Sequence, residues 1–185
     1  MPLKEEALTL DVSIDDATKR IQSANTLVNR SGNWSLSSTD GSGFIQALAH
    51  KGLNKFSSVL ILGAGGTARA VAGALDTVST SITVLGRSST REDALSQAIQ
   101  SADFSYRRWQ QSIDFDEFDL VVNTTPAGAA DLLAENVPHK TNTPLFDVIY
   151  KPWPTVLGSR WSDIGGEVIN GLELLLYQGD RKSVV

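Results

Sequence analysis

The rhythm of apolar positions changes partway along the chain. From residue 57 onward, short runs that are apolar at nearly every position recur: "SSVLILGAGG", "SITVLG", "FSYRRW", "FDLVVN" and "PLFDVIY". Runs of that length and texture read as strands buried on both faces. Between several of them the apolar residues fall at helical spacing, most clearly over 67–75 and 91–101. Apolar strands alternating with helices predict an α/β fold with a parallel sheet covered on both sides. A last compact apolar helix begins near Gly171, in "NGLELLLYQG".

Upstream of residue 57 the pattern is more amphipathic. Over 13–24, Ile14, Ala17, Ile21 and Ala24 repeat at helical spacing and Ser13 offers an N-cap, which predicts a helix. "NTLVN" and "NWSLSST" read as two short strands returning around Arg30, Ser31 and Gly32. After "TDGSG" comes a second helical stretch over 44–51, ended by Gly52. There is no internal repeat and no low-complexity hinge; the boundary is a change of texture across 42–56.

Composition narrows the class. The 185 residues are 41% hydrophobic and 20% charged, as in a globular protein. A net charge of −5, a pI near 5.0 and the lack of a basic cluster argue against nucleic acid or an anionic membrane surface as partner. No apolar run reaches the roughly 20 residues of a membrane helix. The first residues carry two acids and no apolar segment, unlike a signal peptide. Cysteine is absent, which removes disulfides, thiolate nucleophiles and thiolate zinc sites together. The expectation is a soluble, cytoplasmic protein without a metal.

Candidate chemistry begins at the first buried strand. "VLILGAGGTARAVAGAL" carries Gly63, Gly65 and Ala68 as G-x-G-x-x-A between a strand and a helix. Gly63 permits the tight turn, Gly65 lets backbone approach a pyrophosphate, and Ala68 keeps the helix close to the strand. The pyrophosphate would sit at the helix N-terminus, over Ala64, Gly66 and Thr67 as well, where free N–H groups and the dipole favour an anion. A site for NAD would place Asp or Glu about 20 residues further on, to hold the ribose hydroxyls. Here Gly86, Arg87 and Ser88 end the second strand, with Arg91 one turn beyond. A guanidinium there suits a 2′-phosphate, so NADP is the expected cofactor.

Other residues are less telling alone. Lys4, in a K-E-E run, reads as a solvated charge. Asp40, followed by "GSG", reads as a turn or capping residue. His50 and His139 sit in no motif and read as surface residues.

Several separated motifs together resemble the shikimate dehydrogenase family, which interconverts 3-dehydroshikimate and shikimate with NADP(H). "MPLKE" resembles the end of V-T-x-P-x-K, "SANTLV" resembles G-A-V-N-T-L, and "LSSTDGSGF" resembles G-x-N-T-D-x-x-G. "GRSSTR" is similar to N-R-T-x-x-R, "NTTPAG" to N-x-T-x-x-G, "DVIYKPWPTVL" to D-x-x-Y-x-P-x-x-T-x-L, and "NGLELLLYQG" to N-G-x-x-M-L-x-x-Q. The resemblance implies that Lys4 and Asp40 are the catalytic pair. It implies that Asn25, Thr26, Tyr150 and Gln178 meet the substrate, and that Asn123, Thr124, Thr125 and Val148 lie near the cofactor. The chemistry is coherent: hydride transfer at an alcohol carbon needs a proton moved at its oxygen, and a lysine beside a carboxylate can move it. An ammonium also stabilises developing alkoxide charge.

Two positions depart from the family pattern. Ser38 stands where an Asn precedes Thr-Asp, and Gly86 stands where an Asn precedes the arginine. The family also carries a substantial segment before its lysine that supplies much of the substrate-domain sheet, including two serines for the substrate carboxylate. The expected layout is therefore a partial α/β substrate domain over 1–42 and a Rossmann-type NADP-binding domain over 43–170, with 43–56 as connecting helix and linker. Residues 171–185 are expected as a helix packing back toward the substrate domain. Apolar surface is expected on the segment before Gly41, with a homodimer as one way of covering it. The function implied is an NADP-dependent oxidoreductase acting on shikimate, with weak or absent turnover by this chain alone. An NAD-preferring quinate/shikimate dehydrogenase and a non-catalytic NADP-binding module are the alternatives.

Overall fold

The computed structural model describes residues 3–109 and 113–183. Met1 and Pro2 of the first motif, and the last two residues of the closing segment, lie outside the described residues.

Six parallel strands form the main sheet: β4 (Phe56–Leu62), β5 (Ser79–Gly86), β6 (Asp103–Arg108), β7 (Leu120–Asn123), β8 (Leu145–Asp147) and β9 (Val168–Asn170). Their order is β6-β5-β4-β7-β8-β9. Successive β4 side chains go to opposite faces. Val59 and Ile61 join the cluster that holds Phe44, Val71, Leu75 and Leu174, and Leu60 and Leu62 join the one that holds Phe115, Leu133 and Trp161. Two buried faces explain why β4 is apolar along most of its length instead of alternating. The connections build outward from β4 through β5 to β6, then return to β7 on its other side, so the direction of winding reverses between β4 and β7. The crevice at the carboxyl ends of strands at such a reversal is where open α/β sheets take ligands.

The N-terminal part forms a small sheet of β1 (Ser13–Ile14), β3 (Asn33–Ser37) and β2 (Thr26–Arg30), in that order. The β2–β3 hairpin turns through Ser31 (φ +52°) and Gly32 (φ +90°), as the sequence predicts. The helix expected over 13–24 is shorter and differently capped. Residues 13–14 pair with β3, and helix α2 (Asp16–Ile21) starts after Asp15, whose carboxylate accepts from the Thr18 N–H at 2.7 Å. The helix expected over 44–51 instead starts at Asp40, as α3 (Asp40–His50), so "TDGSG" is its first turn and not a loop. The helix expected over 91–101 is α5 (Glu92–Ala98), preceded by a 3-10 turn over Ser89–Arg91. Among the elements without a counterpart in the sequence reading are α1 (Leu3–Glu6), α6 (Val156–Asp163) and the three-residue β9.

Helix α3 joins the two parts. A Cβ on Gly41 would lie 2.9 Å from the Ala70 carbonyl oxygen on α4 (Gly66–Leu75), and one on Gly43 would lie 2.7 Å from the Gln178 nitrogen on α7 (Gly171–Ser183). The missing side chains let α3 seat directly on both helices. Phe44 fixes it to the sheet, ring to ring with Phe146 at 4.7 Å. Leu27 and Trp34 on the hairpin are about half exposed, and Leu172, Leu175 and Leu176 line an exposed strip of α7. Among the described residues no helix is long and apolar enough to cross a membrane.

Candidate active site

The crevice beyond β4, β5 and β7 opens into a cavity of about 560 Å³, within the range of small-molecule and cofactor sites. Gly63, Ala64, Gly65, Gly66 and Thr67 line it from the turn after β4. Arg87, Ser88 and Arg91 line it from beyond β5, and Thr124, Thr125 and Val148 from the ends of β7 and β8. Gly63 adopts φ +102°, and a Cβ there would lie 2.8 Å from Thr124 Oγ1, so only glycine lets the two loops meet. A Cβ on Gly65 would instead meet nothing nearer than Arg91 Nη1 at 3.8 Å and would project into open space. Gly65 is also the N-cap of α4 and supplies no side chain to its first N–H groups. Those N–H groups face room that an anion fits.

Ala68 and Asn123 do not line the cavity. Ala68 is fully buried and keeps α4 on the sheet. Asn123 accepts from the Thr125 N–H and hydroxyl at 3.1 and 2.7 Å and donates to Asp147 at 3.1 Å, so it acts on the cavity through Thr125. Trp109, Pro126 and Ala129 line the cavity without having been expected. A signal existed for Trp109: it follows a strand at the carboxyl edge of the sheet.

Lys4 is also in the wall. Its ammonium pairs with Asp40 Oδ2 and lies 3.5 Å from Thr67 Oγ1, on the first turn of the glycine-loop helix. Asp40 is 3% exposed, and its other oxygen accepts from Asn25 Nδ2 at 2.5 Å. Asn25 is itself fixed. Its Oδ1 accepts from the Thr39 N–H at 3.0 Å and the Thr26 hydroxyl at 2.7 Å, and its Nδ2 lies 3.5 Å from Gln178 Oε1. Five residues from four separated segments thus meet at one corner of the cleft: Lys4, Asn25, Thr26, Asp40 and Gln178. Tyr150 does not reach them. It is half exposed and borders a neighbouring shallow depression, which touches the main cavity through Val148. His50 and His139 are exposed, as expected.

Arg69 and Glu5, to which the sequence analysis assigns no role in the site, help hold the Lys4 segment where it is. Arg69 on α4 is 3% exposed and donates to the Ile21 and Gln22 carbonyls at 2.7 and 2.8 Å and to Glu5 at 2.7 Å. Arg69 keeps the Glu5 carboxyl below its usual range, mainly through that hydrogen bond and against the cost of burial. The Lys4 carbonyl in turn accepts from the Ala24 N–H at 2.9 Å.

A parallel sheet wound in both directions from β4, with a glycine turn feeding a helix N-terminus at the reversal point, defines a Rossmann-type dinucleotide-binding protein. Residues 47–148 match the family described as shikimate / quinate 5-dehydrogenase. A relative named shikimate dehydrogenase (NADP(+)) from Methanosarcina mazei is 36% identical over 193 residues, covering 97% of this chain and 68% of its own. The crystal structure of shikimate dehydrogenase from Mycobacterium tuberculosis superposes with a TM-score of 0.86 at 31% identity, over 98% of this chain and 68% of that one. That of shikimate 5-dehydrogenase from Thermus thermophilus in complex with NADP(H) and shikimate gives 0.81 at 31%, over 99% and 69%. The chain belongs to the shikimate/quinate 5-dehydrogenase family of oxidoreductases and spans about two thirds of the length of these relatives.

Proposed function

We propose that the chain interconverts 3-dehydroshikimate and shikimate with NADP(H), with Lys4 and Asp40 as the proton-transfer pair. The observation that carries this reading is the Lys4–Asp40 pair in the wall of the same cavity as the glycine loop. The relatives' names and the shikimate and NADP(H) complex of the Thermus thermophilus enzyme supply the substrate and the cofactor. Within the cavity, Gly63–Thr67 would hold the pyrophosphate and Arg87, Ser88 and Arg91 the 2′-phosphate. No carboxylate stands at the end of β5 or in the turn over 87–90 to favour an unphosphorylated ribose. Residues 1–42 and the segment 171–185 supply the substrate side, with Asn25, Thr26 and Gln178 on one flank and Tyr150 on the other. Residues 43–170 bind the nucleotide.

Bound NADP(H) supplies or accepts the hydride. The chain's own residues manage the proton. In reduction, the Lys4 ammonium hydrogen-bonds the carbonyl oxygen and gives up a proton as that oxygen gains alkoxide character. In oxidation, the neutral amine takes the hydroxyl proton as the carbon loses hydride. Both Asp40 oxygens are already committed, one to Lys4 and one to Asn25, which orients the carboxylate and keeps the lysine aimed into the cleft.

The test is a calorimetric titration of NADP⁺ paired with an absorbance assay of NADPH formed from excess shikimate. We expect Asp40→Asn to bind NADP⁺ within about twofold of the parent. Its kcat should fall by about 100-fold or more, the usual scale of a positioned acid–base group. Turnover that survives Asp40→Asn removes the proton pair from the mechanism. Binding with no turnover by the parent chain favours a nucleotide-binding module, and no binding overturns the reading entirely.

A further inference from the structure

The turn that would meet the cofactor's 2′-phosphate is held from the next strand. Strand β5 ends at Gly86, and Arg87 and Ser88 follow as an exposed turn. Two contacts, one from β6 and one from the residue that follows it, secure it. The Trp109 N–H donates to the Gly86 carbonyl at 3.0 Å, continuing the ladder, and the Tyr106 hydroxyl donates to the Ser88 carbonyl at 2.6 Å. The second contact exists only because Gly86 has no side chain. A Cβ built there would lie 1.7 Å from the Tyr106 hydroxyl oxygen and 2.6 Å from the ring carbon that bears it. Residues 86 and 106 therefore share one volume, and the phenol takes it.

We propose that Tyr106 is a positioning residue for cofactor choice: by fastening the Ser88 carbonyl, it fixes the turn from which Arg87 and Ser88 meet a 2′-phosphate. The inference rests on the NADP reading above. Its physical basis is preorganisation. Arg87 and Ser88 are exposed, and an unfastened turn would have to be ordered when the phosphate binds, at a cost to affinity. The Ser88 hydroxyl shares a hydrogen bond with Thr90 at 2.9 Å, so both ends of that residue are tied. The Tyr106 hydroxyl is suited to the work: burial foremost, with the nearby Glu92 carboxylate, raises its pKa, so it remains a donor through neutral and mildly alkaline pH. The ring itself packs against the core that includes β5 and α5, so the phenol's position is set by packing.

Tyr106→Phe keeps the ring and deletes the donor. We expect it to weaken NADP⁺ binding by about 3- to 10-fold, the usual worth of one such hydrogen bond, while NAD⁺ binding changes by less than about twofold. The readout is the ratio of the two dissociation constants by calorimetry on the same preparation, which a merely structural role would leave unchanged. Gly86→Ala, which would push the phenol away, should shift the same ratio in the same direction, against NADP⁺. The double variant should be no worse than either single one, because both break one contact. A parent chain without NADP⁺ preference overturns the cofactor reading and this inference together. A parent with that preference and a Tyr106→Phe variant with the same ratio overturns this inference alone.

Discussion

Asp147 and Asp76 are both buried carboxylates held by several donors, and they resolve the cost of burial in opposite ways. Asp147, at the end of β8, is fully buried; it accepts from the Thr155 hydroxyl at 2.6 Å, the Ile149 N–H at 3.1 Å and Asn123 at 3.1 Å. Burial still wins and raises its pKa. At Asp76 burial also pushes upward, but three successive backbone N–H groups, of Ala102, Ser101 and Gln100 at 2.8–3.0 Å, outweigh it and the pKa is lowered. The linkage signs therefore differ. Stability from Asp76 is present above the ordinary carboxylate pKa and is lost as pH falls through its depressed folded value. Stability from Asp147 is present below the ordinary value and is lost as pH rises through its raised folded value. Urea denaturation from pH 3 to pH 8 should show this. Asp76→Asn should cost about 1–3 kcal/mol near neutrality, less toward acid. Asp147→Asn should compare worst with the parent at the acid end and gain on it as pH rises. Parallel pH slopes for the two variants would refute the assignment.

Among the elements, legibility followed burial. Strands β4, β5 and β7 were readable because the parallel sheet buries both their faces, and the glycine turn because Gly63 is required sterically and Gly65 leaves open room before the helix N-terminus. The misread stretch over 13–24 shows the limit. Helical spacing at Ile14, Ala17 and Ile21 is local, whereas Ser13 and Ile14 are drawn into pairing with β3 by a tertiary contact, leaving Asp15 as the cap. Helix α6 was missed because it contributes few buried apolar residues, chiefly Leu157 and Trp161, although Trp161 is fully enclosed and donates to the Thr143 carbonyl at 2.9 Å. The site was legible only in part. Pattern could pair neither Asp40 with Lys4 nor Gln178 with Asn25, because their meeting depends on α3 lying against α4 and α7. Arg69 on α4 was equally invisible, and the worth of its contacts can be ranked. Glu5 is about half exposed, so that ion pair is a minor contribution, whereas the two carbonyls would be left without their donor. Arg69→Ala should therefore lower stability by about 2–4 kcal/mol in chemical denaturation, and Glu5→Gln by less than about 1 kcal/mol. Equal losses would mean that the ion pair, and not the carbonyl clamp, ties α4 to the N-terminal part.

At the scale of the whole molecule, the position of Arg69 in its own helix matters most. Its backbone N–H donates to the Gly65 carbonyl at 3.0 Å and so closes the first turn of α4, while its side chain reaches across to the Ile21 and Gln22 carbonyls at the end of α2. Whatever steadies the glycine turn thereby steadies the segment that carries Lys4. Local openings of a native protein become rarer when a ligand binds only the closed form, by a factor that grows with ligand concentration over its dissociation constant. The Ala24 amide, bonded to the Lys4 carbonyl, is a natural reporter of such openings. Its exchange with deuterated solvent should slow as NADP⁺ is added and should cease to respond in Arg69→Met. Lys4 would then be quietest when a nucleotide is in place, so that order at the proposed proton-transfer pair would be granted by the cofactor's arrival.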